Sequence, residues 1–136
     1  MSAPSSSTPP AALRVLLAED NLINQRLLAM LLRFMGHQID VVDDGQQALN
    51  ALEIKPYDVV LMDVMMPNLD GVSALRRILA DARAGKKRPP VIMVTAHAAA
   101  SDREQLLKAG ASGYVPKPVA AEVLKAEIER VIASQA

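Results

Sequence analysis

Short apolar runs recur five times along this 136-residue chain, and a stretch with helical spacing follows each run. Runs without polar alternation are typical of strands that are buried on both faces of a parallel sheet. Strands that alternate with helices fold into a parallel sheet with right-handed crossovers and helices on both faces. We therefore predict an α/β fold, a flavodoxin-like (βα)5 three-layer sandwich with strand order 2-1-3-4-5.

The expected boundaries follow from the apolar runs and from the Gly and Pro residues between them. Gly36 and Gly110 are expected just after helix ends, and Pro56 stops another helix. The predicted strands are 13–18, 39–42, 59–62, 91–94 and 114–115. The predicted helices are 21–35, the stretch between Gly45 and Pro56, 71–82, 101–109 and 120–133.

Composition excludes several classes of protein. Lys plus Arg equal Asp plus Glu at 15 each, so no basic field attracts nucleic acid. The chain has no Cys, which excludes a disulfide framework and favours a cytoplasmic protein. No apolar run approaches the roughly 20 residues that a membrane span needs. The Ser- and Pro-rich start lacks the apolar core of a secretory signal and is predicted to be a flexible tail or linker over residues 1–12.

Polar residues follow four of the predicted strands at the point where each strand ends. Glu19 and Asp20 follow the first strand, Asp63 the third, Thr95 the fourth and Lys117 the fifth. Because parallel strands present their carboxyl ends at one edge of the sheet, these side chains are expected to converge around Asp63. Each also has a plain structural interpretation, as a turn or helix-capping Asp, an ordinary strand Thr or a solvated Lys.

The converging groups suit phosphoryl transfer to a carboxylate. Three nearby carboxylates repel one another, and Mg²⁺ or Mn²⁺ would relieve that repulsion. Lys117 would add a counter-charge, and the Thr95 hydroxyl could donate to whatever joins Asp63. An Asp side chain is a known covalent nucleophile for phosphate, and cations neutralise the transferring group.

The same residues resemble the receiver domain of two-component response regulators, over residues 13–134. The motifs that carry the resemblance are Glu19-Asp20-Asn21, Asp63 with Met66-Pro67 and Asp70-Gly71, Thr95-Ala96, and Ala109-Gly110-Ala111 before Tyr114 and Lys117-Pro118. The resemblance implies a signalling domain rather than an enzyme, one that assists its own phosphorylation and dephosphorylation. It also implies a cis peptide bond at Lys117-Pro118.

The resemblance further implies roles for individual residues. Asp63 would be the phospho-acceptor, with Thr95 and Lys117 on the phosphoryl oxygens. The metal ligands would be Glu19, Asp20, Asp63 and the backbone carbonyl of Met65. Thr95 and Tyr114 would form a switch in which Thr95 moves toward the phosphoryl group and Tyr114 follows. The alternative for Tyr114 is simple packing at the sheet edge.

The stretch from Ala18 to Gln25 is similar to receivers within, or serving, hybrid histidine kinases. The predicted first helix has a wider apolar surface than one buried face needs. Its expected core arc is Leu27, Leu28, Leu31 and Met35. Its expected docking arc is Ile23, Met30 and Phe34, where an exposed apolar patch would receive a histidine-bearing helical bundle. The alternative is that Met30 and Phe34 pack against a neighbouring helix or the N-terminal tail.

The expected partner is therefore a histidine kinase or a histidine phosphotransfer domain. The chain is expected to be a single-domain regulator or an excised receiver, and to be monomeric or weakly dimeric.

One competing hypothesis is a small phosphatase, but such enzymes place a second Asp two residues after the nucleophile, where this chain has Met65. Another is a flavodoxin-like cofactor binder, but Glu19 and Asp20 would repel a phosphate. His97 is expected near the rim of the site, without a phosphate-carrying role.

Overall fold

A computed structural model describes residues 12–66, 68–96 and 100–135, and within them strands and helices alternate five times. The strands are β1 Arg14–Ala18, β2 Gln38–Val42, β3 Val59–Asp63, β4 Val91–Thr95 and β5 Gly113–Pro116. The helices are α1 Leu22–Phe34, α2 Gly45–Ile54, α3 Gly71–Arg83, α4 Ala100–Lys108 and α5 Ala121–Ala133. None of the helices in these ranges combines the length and apolar character that crossing a bilayer requires. The predicted tail up to residue 11, Pro67 and His97 lie outside the described residues.

The five strands form one parallel sheet in the order β2-β1-β3-β4-β5, which confirms the predicted topology. Every residue of β3 and β4 is buried. An uninterrupted apolar run therefore marked the central strands correctly, since both faces of such a strand are covered. Asp63 is the last residue of β3, at the middle of the sheet.

Two apolar cores cover the two faces of the sheet, which confirms the three-layer sandwich. Val60 and Met62 of β3 point into a core with side chains of α2, α3 and α4, while Val59 and Leu61 point into a core with α1 and α5. The alternation follows from the period of two along a strand. The helices therefore hold β3, and the carboxylate at its end, from both sides.

Side-chain caps begin three of the helices. Asn21 Oδ1 accepts from the Asn24 N–H at 3.0 Å, and Asp70 Oδ1 accepts from the Ser73 N–H at 2.8 Å. Asp44 caps α2 in the same way. Because a capping residue stands outside the helix, α1 begins at Leu22, one residue after the predicted start.

The predicted core arc of α1 was partly wrong. Leu28, Ala29 and Leu32 are buried, whereas Leu27 is 41% exposed. Apolar residues occupy so much of the surface of α1 that their spacing does not show which side faces the sheet. The packing of α1 on the sheet made the selection, with Leu28 and Leu32 in the core between them.

Candidate functional site

The structure brings the predicted polar residues together at the carboxyl edge of the sheet. Carboxylate oxygens of Glu19, Asp20 and Asp63 lie within 4.8 Å of one another. Glu19 and Asp63 are buried, and Asp20 is exposed. The convergence follows from strand order, because β3 lies beside β1 in the parallel sheet.

Lys117 reaches this cluster from the end of β5. Its Nζ lies 3.0 Å from Asp63 Oδ2 and 3.0 Å from Glu19 Oε1. Its backbone N–H donates to Thr95 O at 2.7 Å, which joins the ends of β4 and β5. The predicted cis peptide bond between Lys117 and Pro118 is confirmed.

The charges of the cluster do not cancel. Three carboxylates and one ammonium leave two negative charges when all four groups are ionised. Burial, with Asp63 nearby, raises the pKa of Glu19 to about 7, although the Asn21 N–H and Lys117 oppose the shift. Burial works against the charged form of Lys117, but its hydrogen bond to Asp63 and its ion pair with Glu19 prevail and raise its pKa.

One buried oxygen of the cluster lacks a hydrogen bond. Glu19 Oε2 accepts from the Asn21 N–H at 3.1 Å, whereas buried Oε1 accepts no hydrogen bond and has only the ion-pair contact with Lys117. A buried oxygen without a donor beside an excess of negative charge suits a hard divalent cation, which takes oxygen ligands. The donor set therefore fits the predicted metal.

The loop after β3 begins beside the Asp63 carboxylate. The Met65 N–H donates a long hydrogen bond of 3.3 Å to Asp63 Oδ1, and the Met65 side chain is 68% exposed. Met65 therefore lies at the rim of the cluster, with its backbone beside the Asp63 carboxylate. Thr95 ends β4 on the other side and is buried.

Gly71 has a role that the sequence reasoning missed. A Cβ at Gly71 would lie 2.2 Å from the backbone oxygen of Asp63 and 3.0 Å from the Met93 side chain. The first turn of α3 thus packs directly on the backbone of the phospho-acceptor candidate. In the sequence, Gly71 was recognised only as a motif residue at a helix start.

The start of α2 also holds the loop that follows Asp63, although the two segments are far apart in the sequence. Asn68 adopts a left-handed conformation with φ 65°, and its Nδ2 donates to Asp44 Oδ2 at 2.7 Å. The Gly45 N–H donates to Leu69 O at 3.0 Å. Hydrogen bonds from the Gln47 N–H and from Asn68 lower the pKa of Asp44. These contacts fasten the loop after Asp63 to α2, and no signal in the sequence pairs Asp44 with Asn68.

Gln25 of α1 is a second support that the sequence reasoning missed. Its Nε2 donates to Asp43 Oδ1 at 2.7 Å and to the backbone oxygen of Glu19. One amide therefore links the loop after β1 to the loop after β2. This link positions the backbone next to the acidic cluster.

Tyr114 lies on the same sheet face as Thr95. Tyr114 pairs with Met93, and Pro116 pairs with Thr95, so residues two apart on β4 and β5 share one side. This is the side that α4 covers, since Met93 and Leu106 belong to one core. The switch role of Thr95 and Tyr114 stays a prediction, and their placement on one face is compatible with it.

The three predicted docking residues are all exposed on α1. Ile23 is 76%, Met30 59% and Phe34 93% exposed. The alternative packing against a neighbouring helix is therefore not what the described residues show. Docking itself stays a prediction.

Comparison with known proteins places the chain among signalling domains. Residues 15–129 match the family described as response regulator receiver domain. The signal transduction histidine-protein kinase BarA of Escherichia coli K12 is 39% identical over 113 residues, which cover 83% of this chain and 12% of that protein. The chain thus spans only a small part of this relative.

Two solved receiver domains are among the structures that share the fold. One is the receiver domain of a sensor histidine kinase from Pseudomonas aeruginosa with magnesium in its active site cleft; it is 40% identical, has a TM-score of 0.79, and the match covers 90% of this chain and 99% of that one. The other comes from the Saccharomyces cerevisiae complex of the histidine phosphotransfer protein Ypd1 with the receiver domain of Ssk1. It is 26% identical with a TM-score of 0.84, and the match covers 93% of this chain and 92% of that one.

Proposed function

Because the chain belongs to the response regulator receiver domain family, we propose that it accepts a phosphoryl group from a phosphohistidine partner onto Asp63 in a metal-dependent reaction. The observation that carries this proposal is the buried Asp63 carboxylate at the end of β3, 3.0 Å from Lys117 Nζ and beside Glu19 and Asp20. A buried carboxylate in contact with an ammonium and two further acids serves no need of strand packing. It suits a charged reaction partner.

In the proposed reaction an oxygen of Asp63 attacks the phosphorus. The new P–O bond forms as the P–N bond of the donor breaks, and the electron pair of that bond remains on the imidazole nitrogen. Lys117 holds Asp63 Oδ2, which leaves Oδ1, with its one long hydrogen bond from Met65, for bond formation. The Lys117 ammonium and the Thr95 hydroxyl then contact the phosphoryl oxygens.

The metal ligands in this proposal are Glu19, Asp20, Asp63 and the backbone carbonyl of Met65. Bound Mg²⁺, or Mn²⁺, neutralises charge on the transferring group. Glu19 contributes an oxygen that lacks a hydrogen bond, and exposed Asp20 opens the site toward solvent. The chain is thus a signalling domain that assists its own phosphorylation rather than an enzyme with a separate substrate.

The proposed partner is a histidine kinase or a histidine phosphotransfer domain that docks on α1 at Ile23, Met30 and Phe34. Phosphorylation then changes the protein-binding surface through Thr95 and Tyr114. We propose a cytoplasmic, monomeric or weakly dimeric domain, in a single-domain regulator or a hybrid kinase, that binds neither nucleic acid nor membranes directly.

Incubation with acetyl phosphate tests the proposed function. With Mg²⁺ present, intact mass spectrometry is expected to show one added phosphoryl group, which hydroxylamine removes because an acyl phosphate is a reactive anhydride. A chelator should prevent the adduct. Absence of an adduct both with acetyl phosphate and with phosphorylated histidine phosphotransfer proteins would contradict the proposal.

Metal binding is expected to stabilise the domain through the acidic cluster. At a Mg²⁺ concentration ten times Kd, the free energy of unfolding should rise by about 1.4 kcal/mol and Tm by roughly 5 °C. Asp20→Asn should remove most of this shift, because it deletes one charged ligand. Asp58→Asn, at the opposite end of β3, is the matched control. Thermal unfolding measures the rise in Tm that Mg²⁺ causes. An equal rise in the wild type, Asp20→Asn and Asp58→Asn would place the metal elsewhere.

Docking on α1 is expected to affect only protein donors. Met30→Glu should slow transfer from a phosphorylated histidine phosphotransfer protein about tenfold or more, since a charge in an apolar interface costs at least about 1.4 kcal/mol. Its rate with acetyl phosphate should match the wild type. Ile54→Glu, which alters an 80% exposed apolar residue of α2, is the control. If Ile54→Glu slowed protein transfer and Met30→Glu did not, the docking face would lie on α2.

A further inference from the structure

Tyr114 is held at two separate points, one on its ring and one on its backbone. The guanidinium carbon of Arg103, on α4, lies 5.2 Å from the centroid of the ring. The Tyr114 N–H donates to Glu127 Oε2, on α5, at 2.9 Å. Two helices on opposite faces of the sheet therefore contact one residue of β5.

The backbone contact belongs to a rigid pair of side chains on α5. Arg130 Nε lies 2.9 Å from Glu127 Oε1, and Arg130 Nη2 also donates to Ser112 O at 2.9 Å. A Cβ at Gly113 would lie 2.4 Å from Glu127 Oε2 and 3.0 Å from Arg130 Nη2, so the pair packs directly on the strand. Since β5 is an edge strand, this pair satisfies backbone groups that a further strand would otherwise bind.

Because Glu127 of α5 holds the backbone N–H of Tyr114, we expect any movement of Tyr114 to be confined to its side chain. The ring lines a groove of about 470 Å³ between α4 and α5, together with Arg103, Leu107, Val123 and others. The Arg130 hydrogen bond is the main cause of the lowered pKa of Glu127, and the charge of Arg103 contributes to the same shift. A guanidinium at this distance attracts the electron-rich face of the ring.

We propose that Arg103 sets the resting position of Tyr114 and thereby opposes its movement toward Thr95. Arg103 is a positioning residue, since it contacts the switch side chain and not the reacting atoms. This inference rests on the proposed function, because the movement of Tyr114 is the expected response to phosphorylation. Loss of the Arg103 contact should change the ratio of the two ring positions roughly two- to fivefold in favour of the position near Thr95.

The test is ¹⁹F NMR of the full chain with 3-fluorotyrosine, without a phosphoryl donor. The chain has two Tyr residues, so a Tyr57→Phe variant assigns the signal of Tyr114. Arg103→Gln is compared with Lys108→Gln, which removes the same charge from the same helix but on the cleft toward α3. We expect Arg103→Gln to move the Tyr114 signal in the direction that Mg²⁺ plus acetyl phosphate moves it in the wild type, and to speed phosphorylation two- to fivefold. Lys108→Gln should do neither.

Three results would overturn the role of Arg103. They are an unchanged Tyr114 signal in Arg103→Gln, an equal change in Lys108→Gln, and a change opposite in direction to that of the phosphorylated wild type. The donor-free spectra show whether Arg103→Gln or Lys108→Gln changes the Tyr114 signal, and only the comparison of direction uses the phosphorylated wild type. A failure of phosphorylation would therefore contradict the proposed function, while the Tyr114 signal would still decide whether Arg103 holds the ring.

Discussion

Asp63→Asn is expected to abolish phosphorylation by acetyl phosphate, with a loss in rate of roughly 10³-fold or more. The Asn amide has the shape of the carboxylate but is not a nucleophile for phosphorus. The change should leave the fold intact, because Lys117 retains its ion pair with Glu19 at 3.0 Å and the buried site loses one of its repelling charges. Intact mass spectrometry over time measures the rate, and thermal unfolding confirms that the variant is folded.

Asp58→Asn is the matched control for this experiment. Asp58 lies just before β3, at the amino end of the strand that Asp63 terminates. Its Oδ2 accepts from the Arg14 N–H at 2.8 Å, a hydrogen bond that an Asn oxygen can also accept. Asp58→Asn should be phosphorylated at the wild-type rate. If Asp63→Asn gained as much phosphoryl adduct as the wild type, and peptide analysis mapped it to a neighbouring carboxylate, Asp63 would not be the acceptor.

Gly71→Ala is expected to damage both stability and phosphorylation. The new Cβ would lie 2.2 Å from the backbone oxygen of Asp63, so either α3 or the end of β3 must shift. Overpacking of this kind costs about 1–3 kcal/mol in the free energy of unfolding. Because Asp63 is part of the displaced backbone, the rate with acetyl phosphate should also fall, roughly 10- to 100-fold. Denaturant unfolding and the mass assay measure the two effects.

Gly85→Ala is the control that distinguishes displacement of Asp63 from a general loss of stability. Gly85 follows the other end of α3, with φ 96°, and no atom lies within 4 Å of a Cβ placed there. The left-handed conformation makes Ala cost about 1–2 kcal/mol, an amount similar to that expected for Gly71→Ala. The Gly85→Ala protein should nevertheless be phosphorylated at the wild-type rate. Equal rates in both variants would mean that Gly71 stabilises the fold without positioning Asp63.

Several features of the site could be predicted from the sequence because they depend on local pattern and strand order alone. The apolar runs before Asp63 and Thr95 identified central strands, since only a strand covered on both faces lacks polar alternation. Parallel strands place their carboxyl ends at one edge. Residues far apart in sequence, such as Asp20 and Lys117, were therefore expected at one place before any contact was known.

Predictions failed where one local pattern was compatible with several packings. On α1 the apolar residues exceed what one face can bury, and only packing against the sheet decided that Leu32 is buried and Leu27 exposed. The helix period defines a stripe, but it does not orient that stripe when nearly every direction is apolar.

Other contacts were out of reach because they join distant residues through the geometry of the fold. Asn68 binds Asp44 across 24 positions, and the first turn of α3 fits against Asp63 only because Gly71 lacks a side chain. Composition and spacing along the chain carry no information about such distances. The sequence by itself determined which elements form and which chemical groups meet at the sheet edge. The tertiary structure decided how tightly Asp63 is held and which charge, that of Arg103, faces Tyr114, because close packing fixes separations to fractions of an ångström that no periodicity encodes.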